Sequence, residues 1–169
     1  GDGNSNSCSF DVTVDDVALD INCPADITVS NDAGDCSAVV TFEATETTGI
    51  PASTITYSQD PGTAFPVGMT TVTATATNSE GSDQCSFTVT VTDTEAPTIS
   101  CPADITVEND LGLCSAVVNI PDPTVADNCP GATFAYAPAS GSAFDNGTTT
   151  VTATATDEDG NTSSCSFNV

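Results

Sequence analysis

A repeat with a period of 78 residues constrains the fold of this chain more than any other feature. Cys23-Pro-Ala-Asp-Ile-Thr-Val29 recurs as Cys101-Pro-Ala-Asp-Ile-Thr-Val107, and Cys36-Ser-Ala-Val-Val40 recurs as Cys114-Ser-Ala-Val-Val118. Repetition at a fixed period predicts that one structural unit is built more than once along an array. The predicted division is residues 1–17 as the trailing strand of a preceding repeat or a donated strand, 18–95 as the first repeat and 96–169 as the second.

Alternation of apolar and polar residues dominates each repeat. Val72, Ala74 and Ala76 face one side of a predicted strand, while the threonines between them face the other. Threonine and valine suit a pleated surface, and turn signals such as Asn31-Asp-Ala-Gly34 separate the strands at intervals of about 8–12 residues. The sequence therefore predicts an all-β fold, with about seven strands arranged as a sandwich in each repeat.

The charge of the chain excludes several partners and several kinds of chemistry. It has 24 acidic residues and no Lys, Arg or His, which gives a formal net charge of −24. Nucleic acid and anionic lipid need basic contacts, so neither is an expected partner. Without His or Lys the chain lacks a Ser-His-Asp relay, His-ligated zinc and a Schiff-base lysine. We expect no enzyme activity, and cations are the natural ligands of this surface.

Eight cysteines lie at positions fixed by the repeat and indicate disulfides. Disulfides persist in oxidising compartments, so the expected location is extracellular or at the cell surface. The spacings are too wide for the Cys-x-x-Cys knuckles of structural zinc sites, and no segment predicts a membrane span. The cysteines are Cys8, Cys23, Cys36, Cys85, Cys101, Cys114, Cys129 and Cys165.

The motifs of the chain resemble the hyalin repeat, also called the HYR domain. The segments that carry the resemblance are Glu95-Ala-Pro-Thr-Ile-Ser-Cys-Pro102, Gly112-Leu-Cys-Ser-Ala-Val-Val118, Ala126-Asp-Asn-Cys129, Thr148–Asn161 and Cys165-Ser-Phe167. The resemblance implies tandem immunoglobulin-like β-sandwiches in a linear array. It also implies a place in extracellular adhesion or matrix proteins, or in large bacterial surface proteins, with no catalytic residues.

The resemblance further implies a disulfide pattern in the second repeat. This repeat fits a version of the family with four cysteines, which implies that Cys101 pairs with Cys165 and Cys114 with Cys129. The first repeat departs from the pattern, because Thr48-Gly-Ile-Pro51 stands where Ala-Asp-Asn-Cys is expected.

The first repeat is therefore left with an odd number of cysteines. The same pattern pairs Cys23 with Cys85. Three alternatives then remain for Cys36: a buried free thiol, a disulfide to Cys8, or a disulfide to another subunit. A competing scheme joins neighbouring repeats through Cys8 to Cys23 and Cys85 to Cys101.

Acidic side chains gather near the predicted joints between repeats and suggest calcium as the candidate cofactor. Ca²⁺ takes about six to eight oxygen ligands, and an ion held between domains would stiffen an array. The competing interpretation is a solvated acidic surface, since turns are rich in Asp and Asn and no EF-hand loop is present. The candidate ligands are Asp15, Asp16, Asp26, Asp93, Glu95, Asp104, Asp157 and Asp159.

Two sequons are candidate glycosylation sites, at Asn146 and Asn161. Asn-Gly and Gly-Asn pairs are also favoured in hairpin turns, which is the competing explanation. Tyr57 and Tyr136 occupy comparable places in the two repeats, and we expect them to pack in the cores instead of forming a carbohydrate platform.

The leading functional hypothesis is a structural stalk or filament segment of a large repetitive extracellular protein, such as an adhesin or a fibre. Its partners would be neighbouring repeats or subunits of the same protein. The lack of Lys and Arg removes the cleavage sites of trypsin-like proteases, and acidity discourages pairing between exposed strand edges. The alternative hypothesis is a calcium-dependent adhesive binding module, and a third is an accessory domain of a secreted polysaccharide-degrading enzyme.

Overall fold

The computed structural model describes residues 2–3, 5–11, 18–48 and 51–169. In these residues the regular structure consists of fifteen β-strands, without a helix, so the predicted all-β class is confirmed. The strands are β1 (Asp20–Asn22), β2 (Ile27–Ser30), β3 (Ser37–Val40), β4 (Thr45–Thr48), β5 (Thr54–Tyr57), β6 (Thr63–Pro66), β7 (Gly68–Thr77), β8 (Ser82–Thr92), β9 (Thr98–Ser100), β10 (Ser115–Val117), β11 (Thr124–Ala126), β12 (Thr133–Ala137), β13 (Ala143–Asp145), β14 (Thr150–Thr156) and β15 (Thr162–Asn168). The described part of the chain has no helix with the length and apolarity needed to span a membrane.

The same strand pairs recur in both repeats. In the first, β3 pairs antiparallel with β6 and places Ala38 opposite Phe65. In the second, β10 pairs antiparallel with β13 and places Ala116 opposite Phe144. The two largest sheets among the described residues have four and three strands, in the orders β2-β8-β7-β5 and β12-β14-β15. The register therefore follows the sequence repeat, as expected when alternation fixes which face of each strand is buried.

The chain divides into two compact units that each draw on separate stretches of sequence. The first comprises Gly1–Ala25, Phe42–Pro61 and Val72–Phe87, and the second comprises Asp26–Thr41, Gly62–Thr71 and Thr88–Val169. The core of the first is formed by Ile21, Ala44, Ala74 and Ala76. The core of the second includes Ala116, Val118, Ile120, Phe144, Val151 and Phe167. The predicted burial of the alternate residues of β7 is confirmed, since Val72, Ala74 and Ala76 are fully buried.

The two tyrosines lie at the edges of these cores. The hydroxyl of Tyr57 accepts a hydrogen bond from the Ala44 amide at 2.9 Å. The hydroxyl of Tyr136 donates to the Pro121 carbonyl at 2.6 Å, and burial raises the pKa of this phenol. Its ring centroid is 6.0 Å from that of Phe167. Both rings are half-buried, which agrees with a packing role.

Candidate metal centre

Three aspartates converge in the second compact unit, and each directly follows the last residue of a strand. Asp93 follows β8, Asp127 follows β11 and Asp157 follows β14. One carboxylate oxygen of each lies within 4.8 Å of the others. Asp93 is only 5% exposed and Asp157 only 8% exposed, while Asp127 is half-buried. Oxygens that share one Ca²⁺ at about 2.3–2.6 Å must lie within about 5 Å of each other, so this spacing fits a common ion.

Two asparagines hold the cluster together. The Asn128 side-chain nitrogen lies 3.3 Å from each carboxylate oxygen of Asp93. The Asn161 side-chain nitrogen donates to the Asp93 carbonyl at 3.1 Å and to Asp157 Oδ2 at 2.8 Å. The Glu95 amide also donates to Asp93 Oδ1 at 3.0 Å. These bonds fix the positions of two carboxylates and leave them capacity to bind a further group, because each oxygen carries two lone pairs.

Asp157 is held in its ionised form. Burial alone raises the pKa of its carboxyl, but hydrogen bonds outweigh burial and lower the pKa below its ordinary value of 3.8. They come from the side chain and amide of Asn161 and from the amides of Gly160 and Asp159. Because the pKa is lowered, this carboxylate carries its charge at neutral pH.

Two oxygens beside the cluster are buried without a hydrogen-bond partner among the described residues. They are Asp127 Oδ1 and Asn128 Oδ1. Leaving a buried acceptor unsatisfied costs about 1–3 kcal/mol, and more if the group is charged, so native proteins rarely do so without a reason. A cation bound through Asp127 would satisfy the oxygen of that carboxylate.

The charge of the cluster cannot be neutralised by the side chains of this chain. The sequence contains no Lys, Arg or His, so every cationic side chain is missing. Two carboxylates about 4 Å apart repel each other by about 1 kcal/mol in water and by more in a partly buried site. The donor set is made of oxygen alone, which hard cations such as Ca²⁺ prefer. The residues present therefore fit a calcium ion.

A disulfide lies directly beside the cluster. Cys36 is bonded to Cys129, with an S–S distance of 2.04 Å and Cα atoms 4.9 Å apart. The neighbouring Asn128 donates its side-chain N–H to the Asp35 carbonyl at 3.3 Å, which ties the two cysteine loops together. The cluster, Asn128 and this disulfide are thus parts of one arrangement within the second compact unit.

This disulfide corrects the pairing of Cys114 with Cys129 implied by the resemblance. In the structure Cys114 is exposed with a free thiol, and Cys8 is also exposed and free. The physical reason is that the segment before Cys129 packs against the loop of Cys36, where the Cα separation suits a disulfide. Cys36, whose partner was open, is therefore bonded.

The remaining disulfides join cysteines within each repeat. Cys23 is bonded to Cys85, and Cys101 to Cys165, with Cα separations of 5.7 and 5.8 Å. These are the pairs that the resemblance implies. The competing scheme, with bonds from Cys8 to Cys23 and from Cys85 to Cys101, does not occur in the structure.

Comparison with known proteins identifies the repeat. The model of the HYR domain matches residues 17–91 and 92–169. The chain belongs to the HYR domain family. It is 38% identical over 101 residues to hyalin of Strongylocentrotus purpuratus, an alignment that covers 56% of this chain and 8% of hyalin. Among solved structures, the human desmocollin-1 ectodomain matches with a TM-score of 0.31 and 14% identity, over 88% of this chain and 36% of that chain.

The family match shows which parts of the chain the Cys36–Cys129 disulfide joins. Cys36 lies in the first HYR match and Cys129 in the second, so the bond connects consecutive repeats. All three aspartates lie in the second match, and Asp93 stands near its start, in the linker between β8 and β9 (residues 93–97). The cluster is therefore assembled from the linker and the repeat that follows it. The boundaries predicted at 18–95 and 96–169 remain predictions.

Among the described residues, the predicted calcium ligands other than Asp93 and Asp157 lie outside the cluster. Asp26 and Asp104 occupy the same place in the two HYR repeats and accept amides from the last strand, Thr88 at 2.7 Å and Asn168 at 2.8 Å. The Thr88 bond lowers the pKa of Asp26. These two carboxylates anchor the Cys-Pro-Ala-Asp segment to its sheet.

Four candidate ligands remain, and the structure describes two of them, Glu95 and Asp159. Glu95 Oε1 accepts the Gly34 amide at 2.7 Å, which places it on the Cys36 loop. Asp159 is exposed, and its amide contributes to the low pKa of Asp157. Asp15 and Asp16 lie outside the described residues.

The two sequons differ in their surroundings. The side-chain nitrogen of Asn161, where a glycan would attach, already donates to the Asp93 carbonyl and to Asp157. A glycan replaces one of the two N–H groups of this nitrogen, so glycosylation there would remove at least one of the two bonds and disturb the cluster. Asn146 is exposed and stays a predicted glycosylation site.

Asp127 and Asn128 were missed as candidate ligands, although a signal existed. Both belong to the Ala-Asp-Asn-Cys motif, in which the sequence reasoning assigned a role only to the cysteine. The first HYR repeat has Gly49, Ile50 and Pro51 at the corresponding positions, so it lacks the aspartate, the asparagine and the cysteine together. Because the first repeat lacks all three residues together, the sequence itself associates the Asp127 carboxylate with the disulfide that joins the repeats.

Proposed function

We propose that this chain is a structural segment of a large repetitive extracellular surface protein, in which tandem HYR repeats form a stalk or filament. In this proposal, Ca²⁺ and the Cys36–Cys129 disulfide together fix the junction between consecutive repeats. The observation that carries the proposal is the convergence of Asp93, Asp127 and Asp157 beside that disulfide. A stalk needs junctions that resist bending, and two different constraints at one junction serve that need.

An extracellular location is supported by the disulfides and by the family. Three disulfides are formed among the described residues, and such bonds persist in oxidising compartments. The similarity to hyalin, whose length this chain covers only in part, supports an adhesion-related surface or matrix protein. The proposed role is mechanical and requires no catalytic group.

Calcium suits the cluster better than magnesium does. The available ligands are one or more oxygens from each of the three aspartates, with water completing the set. Ca²⁺ accepts an irregular set of oxygens, whereas Mg²⁺ demands a near-octahedral arrangement and gives up its water reluctantly. In the proposal Asp93 ties the ion to the linker, and Asp127 and Asp157 tie it to the second repeat.

The metal part of the proposal is tested by calorimetric titration of chelator-treated protein with CaCl₂. One saturable site per chain is expected, and D127N should weaken it by about tenfold or more, because loss of an outer partner alone commonly has that effect. D104N is the matched control, since Asp104 is an exposed carboxylate that accepts an amide hydrogen bond outside the cluster. Equal weakening by the two variants, or weak binding without saturation, would contradict a specific site.

The stalk is tested by electron microscopy of concatenated chains, in which residues 90–169 are repeated after Val169. Val169 and Val89 both stand four residues after a repeat cysteine, so this joint keeps the register of the array. The expected particle length grows by a constant increment per repeat in Ca²⁺, with a broader distribution of end-to-end distances in EGTA. Coiled particles in Ca²⁺ would contradict the stalk. Calcium-dependent clumping of beads coated with the chain would instead favour the adhesive alternative.

A further inference from the structure

We propose that the loop around Cys114 is a docking site for a following HYR repeat in the same chain, sealed by a disulfide to the cysteine of that repeat's Asp-Asn-Cys segment. The inference rests on the proposed function and deepens it by naming the surface that receives the next repeat. Two equivalent loops of this chain differ, because the Cys36 loop is covered and the Cys114 loop is open.

The loop before β3 (residues 31–36) and the loop before β10 (residues 109–114) make the same hydrogen bonds. In each, the first asparagine donates its side-chain N–H to the carbonyls one and four residues later, at 3.4 and 3.1 Å in the first loop and 3.4 and 2.6 Å in the second. The next aspartate accepts the amide seven residues later, at 2.8 and 3.1 Å. Its own amide donates to the carbonyl five residues later, at 2.7 and 2.8 Å.

The backbone of the two loops also matches where only glycine fits well. Gly34 has a φ of 80° and Gly112 a φ of 79°, in the left-handed region that other residues rarely adopt. The carbonyls of the two cysteines accept equivalent bonds, that of Cys36 at 3.2 Å and that of Cys114 at 3.0 Å. The cysteine of the second loop is therefore presented in the same way as that of the first.

The first loop shows what such a loop receives. Its Asn31 Oδ1 accepts the Thr94 amide at 3.0 Å, and its Gly34 amide donates to Glu95 Oε1 at 2.7 Å. Asn128 donates to a carbonyl of the loop, and Cys129 closes the disulfide. The linker and the Asp-Asn-Cys segment of the next repeat thus cover the loop.

The second loop has the same shape and is open. Cys114 is exposed with a free thiol, whereas the bonded Cys36 is half-buried. Leu111 is fully exposed and Leu113 is 56% exposed, at positions where the first loop has Ala33 and Asp35. Two exposed leucines beside a preformed loop are apolar surface that a partner would bury. A following HYR repeat with Thr-Glu in its linker and Asp-Asn-Cys in its body supplies every contact seen at the first loop.

The covalent step needs an electron acceptor. The two thiols lose two protons and two electrons as the S–S bond forms, and a low-molecular-weight disulfide of the oxidising compartment is reduced to two thiols. The thiolate of Cys114 attacks that disulfide and releases one thiol, and the second cysteine then displaces the other.

The test adds a third HYR repeat to the full chain in register. In the test protein, residues 90–169 follow Val169, so the added repeat carries Asp127, Asn128 and Cys129. In the control, residues 13–89 follow Val169, and the added repeat carries Gly49, Ile50 and Pro51 instead. Both proteins contain C8S, and the added copies contain C114S or C36S respectively, so that a single Cys114 remains.

After oxidation with glutathione disulfide, free thiols are alkylated and the cysteine peptides are mapped by mass spectrometry without reduction. The expected result is a Cys114–Cys129 linked peptide and no alkylated cysteine in the test protein, against an alkylated Cys114 in the control. The added copy's own disulfide, Cys101–Cys165 or Cys23–Cys85, reports its folding.

Alkylated Cys114 in a test protein whose added repeat is folded would overturn the proposal. A test repeat that fails to fold where the control repeat folds counts against it as well, because the loop then does not accept the repeat assigned to it. This readout is a disulfide map in metal-free buffer, so its failure is distinguishable from a failure of the proposed calcium site.

Discussion

Replacing Cys36 and Cys129 together with serine is expected to lower the free energy of unfolding by about 2–5 kcal/mol. The bond spans 93 residues of sequence, so its removal releases a long loop in the unfolded chain, and the chain-entropy model gives the largest effects for such loops. The double variant leaves no unpaired partner to form new bonds. The measurement is urea unfolding followed by circular dichroism, in EGTA, so that no metal ion contributes.

The matched control removes the same number of cysteines from exposed positions. Cys8 and Cys114 are both exposed and free, so C8S combined with C114S should change the unfolding free energy by less than about 0.5 kcal/mol. The pairing of Cys114 with Cys129 makes the opposite prediction, in which C114S is as damaging as C129S. A large effect of the control variant would therefore show that the Cys36–Cys129 bond is not the one formed in solution.

The sequence was sufficient for the features that repeat within one HYR unit. Strict alternation in β7 determines which side chains are buried, and it predicted Val72, Ala74 and Ala76 in the core. The pair Cys23–Cys85 recurs as Cys101–Cys165, because both cysteines of each pair belong to the same repeat. Local periodicity carries this information, since each strand of a sandwich places its residues by its own alternation.

The sequence was insufficient for features that depend on how one repeat meets the next. The Cys36–Cys129 bond joins cysteines of different repeats, and spacing within a repeat does not reveal which loop packs against which. Asp93, Asp127 and Asp157 follow three strands that are distant in sequence, so their convergence requires the sheet arrangement. Asp26 and Asp104 are acidic residues near the repeat boundaries like these three aspartates, yet both accept strand amides. Acidity alone does not separate an anchor from a metal ligand.

The wild-type chain is expected to be more stable in Ca²⁺ than in EGTA, by about 2.7 kcal/mol once free Ca²⁺ exceeds its dissociation constant about a hundredfold. Only the folded state brings the three carboxylates within 4.8 Å, so the ion binds the folded state preferentially. The measurement compares urea unfolding in CaCl₂ and in EGTA at equal ionic strength. MgCl₂ serves as the control for general screening of the 24 acidic charges, and it should reproduce only a small part of the effect.

The D127N variant tests whether Asp127 is a metal ligand or a structural carboxylate, because the two roles predict different signs for the change in unfolding free energy. In EGTA, it removes one of three close negative charges that no side chain compensates, so it should raise the unfolding free energy by about 1 kcal/mol. In Ca²⁺ it should lower the unfolding free energy, because a ligand to the bound ion is lost. Destabilisation of the same size in both buffers would instead mean that Asp127 acts through its hydrogen bond to the Cys129 amide. A reversal of sign between the two buffers is not expected of a solvated acidic surface, since loosely held counterions do not distinguish Asp127 from the other carboxylates.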